Sequence, residues 1–332
     1  MNSYCLIKNK DNKKDSNGFG SVSYNFLISQ NFLSCEEYVN FLNSISIKAK
    51  NLLSNNTKIY DIIESNRGIY SLHTHINPTD PISCISLRDL KVYCNWINTQ
   101  DLRLLEEFPY NLANNTFDFN NAKFWIPTYN EWYKATYYDH NTEKYFCFPH
   151  GSDDISVTQM YNNTSSPYGV INAGLKYFTI IDESKDDNSY VIAGGSSNRN
   201  PIHSKSGSKF YISDNYYANY ISARLCQKSE TKKYTLKLYD TYGDGWGKNF
   251  IVVNDANYKP LSDKITMEHG YGPISIDIEI DKVDRYFNIQ YYNNDHLSYE
   301  NHYELYNEAG DLLFASNMYE PPPKNTIISL ST

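Results

Sequence analysis

The sequence predicts an α+β first domain with long loops, followed by a second domain that is a small all-β sandwich. Three observations lead to this prediction. Helix-start signals are confined to the first half of the chain, alternating strand patterns dominate the last hundred residues, and a polar, charged connector (residues 227–233, QKSETKK) lies between them. A chain of 332 residues is long enough for two domains that each bury a core.

Three helices are expected in the first domain, and each begins with a similar signal. Residues 34–37 (SCEE), 86–89 (SLRD) and 128–131 (TYNE) place a hydroxyl residue three positions before an acid, which is the pattern of a capping box. Apolar residues then follow at spacings of three and four, as in a helix that buries one face.

The ends of the first domain are marked by changes in composition. Residues 1–20 are polar and dotted with lysine, without an apolar stretch, so we expect a flexible leader and no signal peptide. Residues 21–229 would then form the first domain. Its part from 146 to 226 is rich in Gly, Ser, Asn and Tyr, which is typical of long loops carried by a compact scaffold.

The second domain is expected to span residues 230–332. One segment, ISIDIEI at 274–280, alternates strictly between apolar and polar residues, as a half-buried antiparallel strand does. Seven short strands are predicted, which is the texture of a β-sandwich: residues 234–239, 250–253, 274–280, 286–292, 302–306, 312–315 and 327–330.

Composition excludes several classes of function. The net charge of −8 disfavours a nucleic-acid partner, and no apolar run is long enough for a membrane span. The six cysteines have no CxxC spacing, so we expect reduced, mostly buried thiols. The 32 tyrosines suit a binding surface, although AT-rich codon usage would also explain them.

Six stretches of the first domain occur in the order of one known family. They are residues 32–43, 81–96, 125–135 (WIPTYNEWYKA), 166–170 (SPYGV), 193–196 (AGGS) and 221–225 (ISARL). Together they resemble the formylglycine-generating enzyme family, also called sulfatase-modifying factor domains. The resemblance implies a C-type-lectin-like core with long loops around a small twisted sheet, a scaffold that bacterial and phage surface proteins also use for display.

The chain departs from that family at both of its metal sites. The family's calcium motif G-N-V-W-E-W is matched by residues 174–178 (GLKYF), which lack the amide and carboxylate oxygens that calcium requires. Catalytic members hold copper with a cysteine directly after the terminal arginine and another five residues earlier. Here Leu225 follows Arg224, and Cys226 is displaced by one position. We therefore assign no catalytic residue and expect Cys226 to be an inert thiol.

A related family branch uses an iron site made from histidines. His73 and His75 would share a face if the segment were extended, but no third ligand stands at a recognisable spacing. A surface or hydrogen-bonded pair is the favoured interpretation.

The second domain opens with the sequence YDTYGDGW (239–246), which resembles the signature of small β-domains found on secreted and surface proteins. Asp240 and Asp244 flank a glycine turn and offer carboxylates for calcium. The alternative is an Asp-Gly turn between strands with Trp246 packed over it, and an EF-hand is excluded by the spacing.

The first hypothesis for function is a non-catalytic binding or structural protein, a display or attachment module. Tyr211, Tyr216, Tyr217 and Arg224 would form its binding face for a glycan or a protein. The residue bias and the domain pairing favour a component of a large-virus particle, located on the virion surface or in the cytoplasm.

Two alternatives stay open. One is a metal-dependent oxidase of the same family with altered site chemistry that uses His73, His75 or Cys226. The other is an architectural subunit whose long loops pack on its neighbours in an assembly.

Overall fold

The structure is a computed structural model that describes residues 3–53, 62–65, 67–154, 165–186, 189–213, 216–255, 258, 260–282, 286–296 and 298–330. The chain divides into two compact units, Met1–Lys228 and Ser229–Thr332. The fold is mixed α+β and consists mostly of sheets, with three α-helices among the described residues. None of these helices has the length and apolar character needed to cross a membrane.

All three predicted helices are present, and each begins at its predicted capping box. They span α1 (Cys35–Leu52), α2 (Leu87–Thr99) and α3 (Tyr129–Tyr137). At α2 and α3 both capping bonds form, because the hydroxyl accepts from the amide three residues on and the acid accepts from the cap amide. At α1, Glu37 accepts from the Ser34 amide at 3.0 Å and donates its own amide to the Ser34 hydroxyl at 3.2 Å.

The strands of the first unit form two four-stranded sheets and three short hairpins. The first sheet has the order β1-β2-β14-β7, the second has the order β12-β11-β10-β13, and the hairpins are β3-β4, β5-β6 and β8-β9. The strand bounds are β1 (Tyr4–Ile7), β2 (Phe26–Ser29), β3 (Ile62–Glu64), β4 (Tyr70–Leu72), β5 (Tyr110–Asn111), β6 (Thr116–Phe117), β7 (Phe124–Trp125), β8 (Tyr138–Asp139), β9 (Lys144–Tyr145), β10 (Phe178–Asp186), β11 (Ser189–Ala193), β12 (Lys209–Ser213), β13 (Ile221–Ser222) and β14 (Cys226–Lys228).

The expected flexible leader is wrong for the residues that the structure describes within it. Residues 4–7 form β1, which pairs antiparallel with all four residues of β2. Ile7 is fully buried, and the side-chain amide of Asn12 donates to the backbone carbonyl of Gly20 at 3.0 Å. A short strand can therefore hold a polar segment in place when its few apolar side chains enter the core.

The region 146–226 contains more regular structure than its composition indicates, although residues 155–164, 187–188 and 214–215 lie outside the described part. Strands β10, β11 and β12 form an antiparallel meander, and β13 pairs parallel with β10. One face of this sheet, with Ile180 and Ile192, packs on the main core, and the other, with Ile181 and Val191, packs on the aromatic residues of α3. Because both faces of this sheet are buried, β10 and β11 carry short continuous apolar runs instead of an alternating pattern. For this reason their sequence did not predict strands.

Many of the tyrosines are core residues. Tyr38, Tyr93, Tyr133, Tyr137 and Tyr190 are all at most 5% exposed in the first unit. Burial raises the pKa of Tyr137 well above its usual value, so the phenol stays a neutral donor, and its hydroxyl donates to the carbonyl of Ser204 at 3.0 Å. The tyrosine content therefore cannot be taken as a measure of binding surface.

The second unit contains two antiparallel sheets, of order β17-β15-β19-β20 and β16-β18-β21. The strand bounds are β15 (Thr231–Asp240), β16 (Phe250–Asn254), β17 (Ile274–Asp281), β18 (Tyr286–Tyr292), β19 (Asn301–Asn307), β20 (Leu312–Ala315) and β21 (Asn325–Ser329). Each of the seven predicted strands overlaps one of these. Leu236 and Leu305 of one sheet share a single core with Ile251 and Phe287 of the other, which gives the unit the two-layer arrangement of a β-sandwich.

Candidate functional site

A cleft of about 830 Å³, which we call the α2 cleft, opens in the first unit beside the C-terminal half of α2. Its floor and walls come from the sheet β1-β2-β14-β7, the first turns of α1 and the last turns of α2. The side chains that line it are Tyr4, Ser29, Leu33, Glu37, Asn40, Tyr93, Trp96, Ile97, Asn98, Thr99, Gln100, Lys123, Phe124, Leu225 and Gln227. The volume lies within the range of about 300–1,000 Å³ that small-molecule sites occupy.

Aromatic rings form two walls of the cleft. Tyr93 and Trp96, three residues apart on α2, have ring centroids 5.9 Å apart. Tyr4 of β1 and Phe124 of β7 lie 6.4 Å apart, and the Lys123 ammonium sits 5.5 Å from the Phe124 ring centre. The cleft therefore offers flat apolar surfaces beside polar groups.

Asn98 fixes one aromatic wall relative to the other. Its side-chain amide donates to the carbonyls of Cys94 and Phe124, both at 2.8 Å, and its oxygen accepts from the amide of Lys123 at 2.7 Å. This side chain joins α2 to β7, so Trp96 and Phe124 are held at a set separation. The site is thus organised before any ligand arrives.

The remaining polar lining is largely neutral. Asn40 and Gln100 are exposed, while Gln227 is half-buried, and the three amides present both donors and acceptors to a ligand. Burial, aided by the charge of Glu37, raises the pKa of Tyr4, which keeps its hydroxyl protonated. Glu37 itself is engaged in the cap of α1.

Leu225, the residue directly after Arg224, lines this cleft, and its side chain is 5% exposed. Cys226, which follows Leu225, and Cys94, which lies on α2, are both fully buried. Burial raises the pKa of both thiols well above the usual value. Neither thiol is among the side chains that line the cleft.

We expect one cysteine of the native protein to react with a thiol reagent before the others do. Cys147 is half-buried and the other five cysteines are buried. A titration with a chromogenic disulfide should consume about one equivalent in the native state and six after unfolding in denaturant, with mass spectrometry locating the first label at Cys147. Rapid native labelling of Cys226 would contradict this assignment and return that thiol to the list of candidate metal ligands.

The histidine pair lies on a turn directly after β4. The rings of His73 and His75 are 5.4 Å apart, His73 half-buried and His75 exposed. Within the described ranges no further His, Cys, Asp or Glu stands close enough to complete a three-ligand group with them.

The predicted binding-face tyrosines do not form one surface. Tyr211 lies on the face of β12 that also carries Lys209, whose ammonium is 4.9 Å from the Tyr129 ring centre and pairs with Glu183 at 2.5 Å. Tyr216 instead contacts the hydroxyl of Tyr220, on the opposite side of the sheet where Phe178 packs. Tyr217 is half-buried.

Arg224 was predicted to belong to that binding face, and the structure contradicts this prediction. Its side chain is fully buried. The guanidinium donates to the backbone carbonyls of Ser29 (3.1 Å), Gln30 (2.8 Å) and Ile171, and it stacks 3.8 Å from the centre of the Phe32 ring. Arg224 is therefore a core residue that joins two loops to β2.

In the second unit, the structure brings the two predicted calcium ligands together with a third carboxylate. Asp240, Asp244 and Glu300 each offer an oxygen, and the three oxygens lie within 4.8 Å of one another. Asp240 ends β15, Asp244 lies in the loop that follows, and Glu300 ends a short 3-10 helix before β19. Glu300 was not singled out in the sequence, because nothing local marks it.

The cleft was also missed in the sequence. On the apolar face predicted for α2, Tyr93 is buried, whereas Trp96 and Ile97 are only half-buried. Tyr4 falls in the segment that was expected to be a leader. One sequence signal indicates the cleft: the apolar face of α2 continues as far as Ile97.

Comparisons with known proteins give low-identity likenesses to solved structures. No family model matches the chain, and no curated protein does. A Treponema denticola variable protein 1 is 13% identical over 68% of this chain and 94% of its own, with a TM-score of 0.44. PvdO from Pseudomonas aeruginosa is 12% identical over 68% and 92%, with a TM-score of 0.39. CarF is 13% identical over 69% and 99%, with a TM-score of 0.49.

Proposed function

We propose that this chain is a non-catalytic binding protein whose first unit holds a neutral carbohydrate in the α2 cleft. The observation that carries the proposal is the lining of that cleft, where Trp96, Tyr4 and Phe124 are interleaved with the free amides of Asn40 and Gln100. Sugar rings present apolar C–H faces that pack on aromatic rings, and their hydroxyls pair with amide donors and acceptors.

The shape of the site favours a sugar chain over a protein surface. A concave cleft of about 830 Å³ takes a few sugar units, whereas protein partners usually meet broader and flatter surfaces. Its charged lining residues are Glu37, which caps α1, and Lys123, which lies over Phe124. With one charge of each sign, the lining favours a neutral ligand over an anionic or cationic one.

The absence of catalysis is proposed on the chemistry of the cleft. Leu225 brings an apolar side chain to the position of the family's copper ligand, and the described lining residues include no cysteine and no histidine. The order of the six motifs supports a C-type-lectin-like core for the first unit, which is the finer fold assignment that we propose. An oxidase with altered chemistry would need ligands from outside this cleft.

Replacement of Trp96 tests the proposal. We expect Trp96→Leu, which keeps an apolar side chain, to weaken carbohydrate binding about tenfold, because a lost aromatic contact is worth about 1.4 kcal/mol. A printed array of neutral oligosaccharides identifies the ligand, and calorimetry on the full chain then measures its affinity.

Tyr211→Ala is the matched control. Tyr211 is 45% exposed and lies on β12, away from the cleft. We expect it to leave the affinity unchanged. If Tyr211→Ala abolished binding while Trp96→Leu did not, the binding face would be on the β12 sheet and the cleft assignment would be wrong. If no oligosaccharide bound to the wild type, the carbohydrate proposal would be overturned.

A further inference from the structure

Three carboxylates of the second unit converge from two separate parts of its chain. Oxygens of Asp240, Asp244 and Glu300 lie within 4.8 Å of one another. Opposite ligands of a calcium ion stand at most about 4.8 Å apart, because calcium–oxygen distances are about 2.4 Å. The grouping is therefore compact enough for one ion to contact all three residues.

Asp240 is held rigidly. Its side chain is 2% exposed, and its oxygens accept from the amides of Tyr242 (2.8 Å), Gly243 (3.1 Å) and Gly245 (2.5 Å). The loop is fixed further by Trp246, whose indole donates to the carbonyl of Tyr239 at 2.8 Å. Thus the predicted Asp-Gly turn with Trp246 packed over it is present, and it presents its acids in a fixed arrangement.

Glycine is required at position 245, where this loop passes close to the backbone of Met267 and Glu268. Gly245 has φ +93°, and a Cβ there would lie 2.2 Å from the carbonyl oxygen of Glu268. The backbone can follow this path only without a side chain. The loop is consequently preorganised, so an ion that binds there does not have to order it.

Glu300 supplies an observation that is independent of the acidic cluster itself. Its side chain is 4% exposed, and its Oε2 is buried without a hydrogen-bond partner. No described basic side chain forms an ion pair with Asp240, Asp244 or Glu300.

A buried carboxylate oxygen without a partner, in a group of three acids, is unfavourable unless a cation or a proton neutralises the group. Oxygen is also the donor that hard cations prefer. We propose that Asp240, Asp244 and Glu300 bind one Ca²⁺ ion, which joins the loop after β15 to the segment before β19.

Calcium binding is to be measured by calorimetry and by thermal melting of the full chain after chelator treatment. We expect the wild type to bind one equivalent of Ca²⁺ and to melt at a higher temperature when the ion is present. Asp244→Asn should weaken binding by tenfold or more, because it removes one charged ligand. Asp244 is exposed and outside the hydrogen bonds that shape the loop, so this variant should still fold.

Glu300→Gln provides a second, opposite readout. Without calcium it should melt above the chelated wild type, because an uncompensated buried charge has been removed. With calcium it should gain little further stability. A merely structural Glu300 would instead give a variant that melts below the wild type under both conditions.

Asp263→Asn is the matched control, since Asp263 is an exposed acid of the same unit outside the cluster. It should bind calcium as the wild type does. The proposal is overturned if the chelated wild type shows neither heat nor a melting shift on addition of Ca²⁺. It is equally overturned if Asp244→Asn and Glu300→Gln bind the ion as tightly as Asp263→Asn.

Discussion

Replacing Arg224 by methionine should destabilise the first unit by about 3 kcal/mol or more. Methionine fills much of the space of the arginine stem, but it leaves the carbonyls of Ser29, Gln30 and Ile171 without the guanidinium donor. Each buried acceptor that loses its partner costs about 1–3 kcal/mol. The Gln30 oxygen keeps one donor, the backbone amide of Ile171 at 2.9 Å. The cost of removing the guanidinium from this oxygen should therefore lie at the lower end of that range.

An opposing effect must be weighed, because the arginine charge is itself buried. Burial lowers the pKa of Arg224 to about 9, which means that the protein environment disfavours the charged form. Removing the charge relieves that cost. The stacking on Phe32 and the three carbonyl contacts are lost at the same time, and we expect these losses to dominate.

Urea denaturation followed by circular dichroism measures this change in the free energy of unfolding. The control is Arg103→Ala, where the side chain is 85% exposed and pairs with Asp101 two residues away. That variant should differ from the wild type by no more than about 0.5 kcal/mol. An Arg224→Met protein as stable as Arg103→Ala would show that the guanidinium contributes nothing to the core.

The second large effect is expected for Glu131→Ala, with a loss of about 3 kcal/mol or more in the free energy of unfolding. Glu131 is 1% exposed and accepts four hydrogen bonds: from the Tyr24 hydroxyl (2.9 Å), the Trp125 indole (2.8 Å), and the amide and hydroxyl of Thr128 (both 2.7 Å). Loss of the cap costs about 1 kcal/mol, and each additional buried donor left unpaired adds about 1 kcal/mol or more.

Glu37→Ala is the matched control, because Glu37 is also the acid of a capping box but is less buried than Glu131. Glu37 makes the same capping bonds to Ser34 at the start of α1, yet it is half-buried rather than enclosed. Glu37→Ala should therefore cost only about 1 kcal/mol in the same urea experiment. Equal losses for the two variants would mean that the extra bonds from Tyr24 and Trp125 add no stability.

Local signals in the sequence predicted those parts of the fold that local interactions decide. Capping boxes at 34–37, 86–89 and 128–131 determine where the helices begin, since the bonds join residues three apart. The alternation in 274–280 likewise identified β17, whose Ile278 and Ile280 are buried while Asp277 and Glu279 are exposed.

Features that depend on distant partners were missed or misassigned. Residues 4–7 carry too few apolar side chains to identify a strand, and they are ordered by pairing with β2, about twenty residues further on. Arg224 looked like a surface residue because arginine usually is one, whereas here it meets carbonyls from two distant loops.

The two candidate sites illustrate the same limit. The cleft combines β1, β2, α1, α2, β7 and β14, so no window of sequence contains it. Asp240 and Asp244 were found because they flank a recognisable glycine turn. Glu300 is brought beside them only because Asp240 is paired with Asn301 in the β15–β19 ladder.

Hydrogen–deuterium exchange of the full chain, with and without a bound neutral oligosaccharide, tests the central claim most directly. The account predicts that the sugar slows exchange in the last turns of α2, around residues 93–100, and at Lys123 and Phe124, with no change in β12 or at Tyr216 and Tyr217. Protection confined to β12 and the tyrosines after it, with the α2 cleft unaffected, would contradict it.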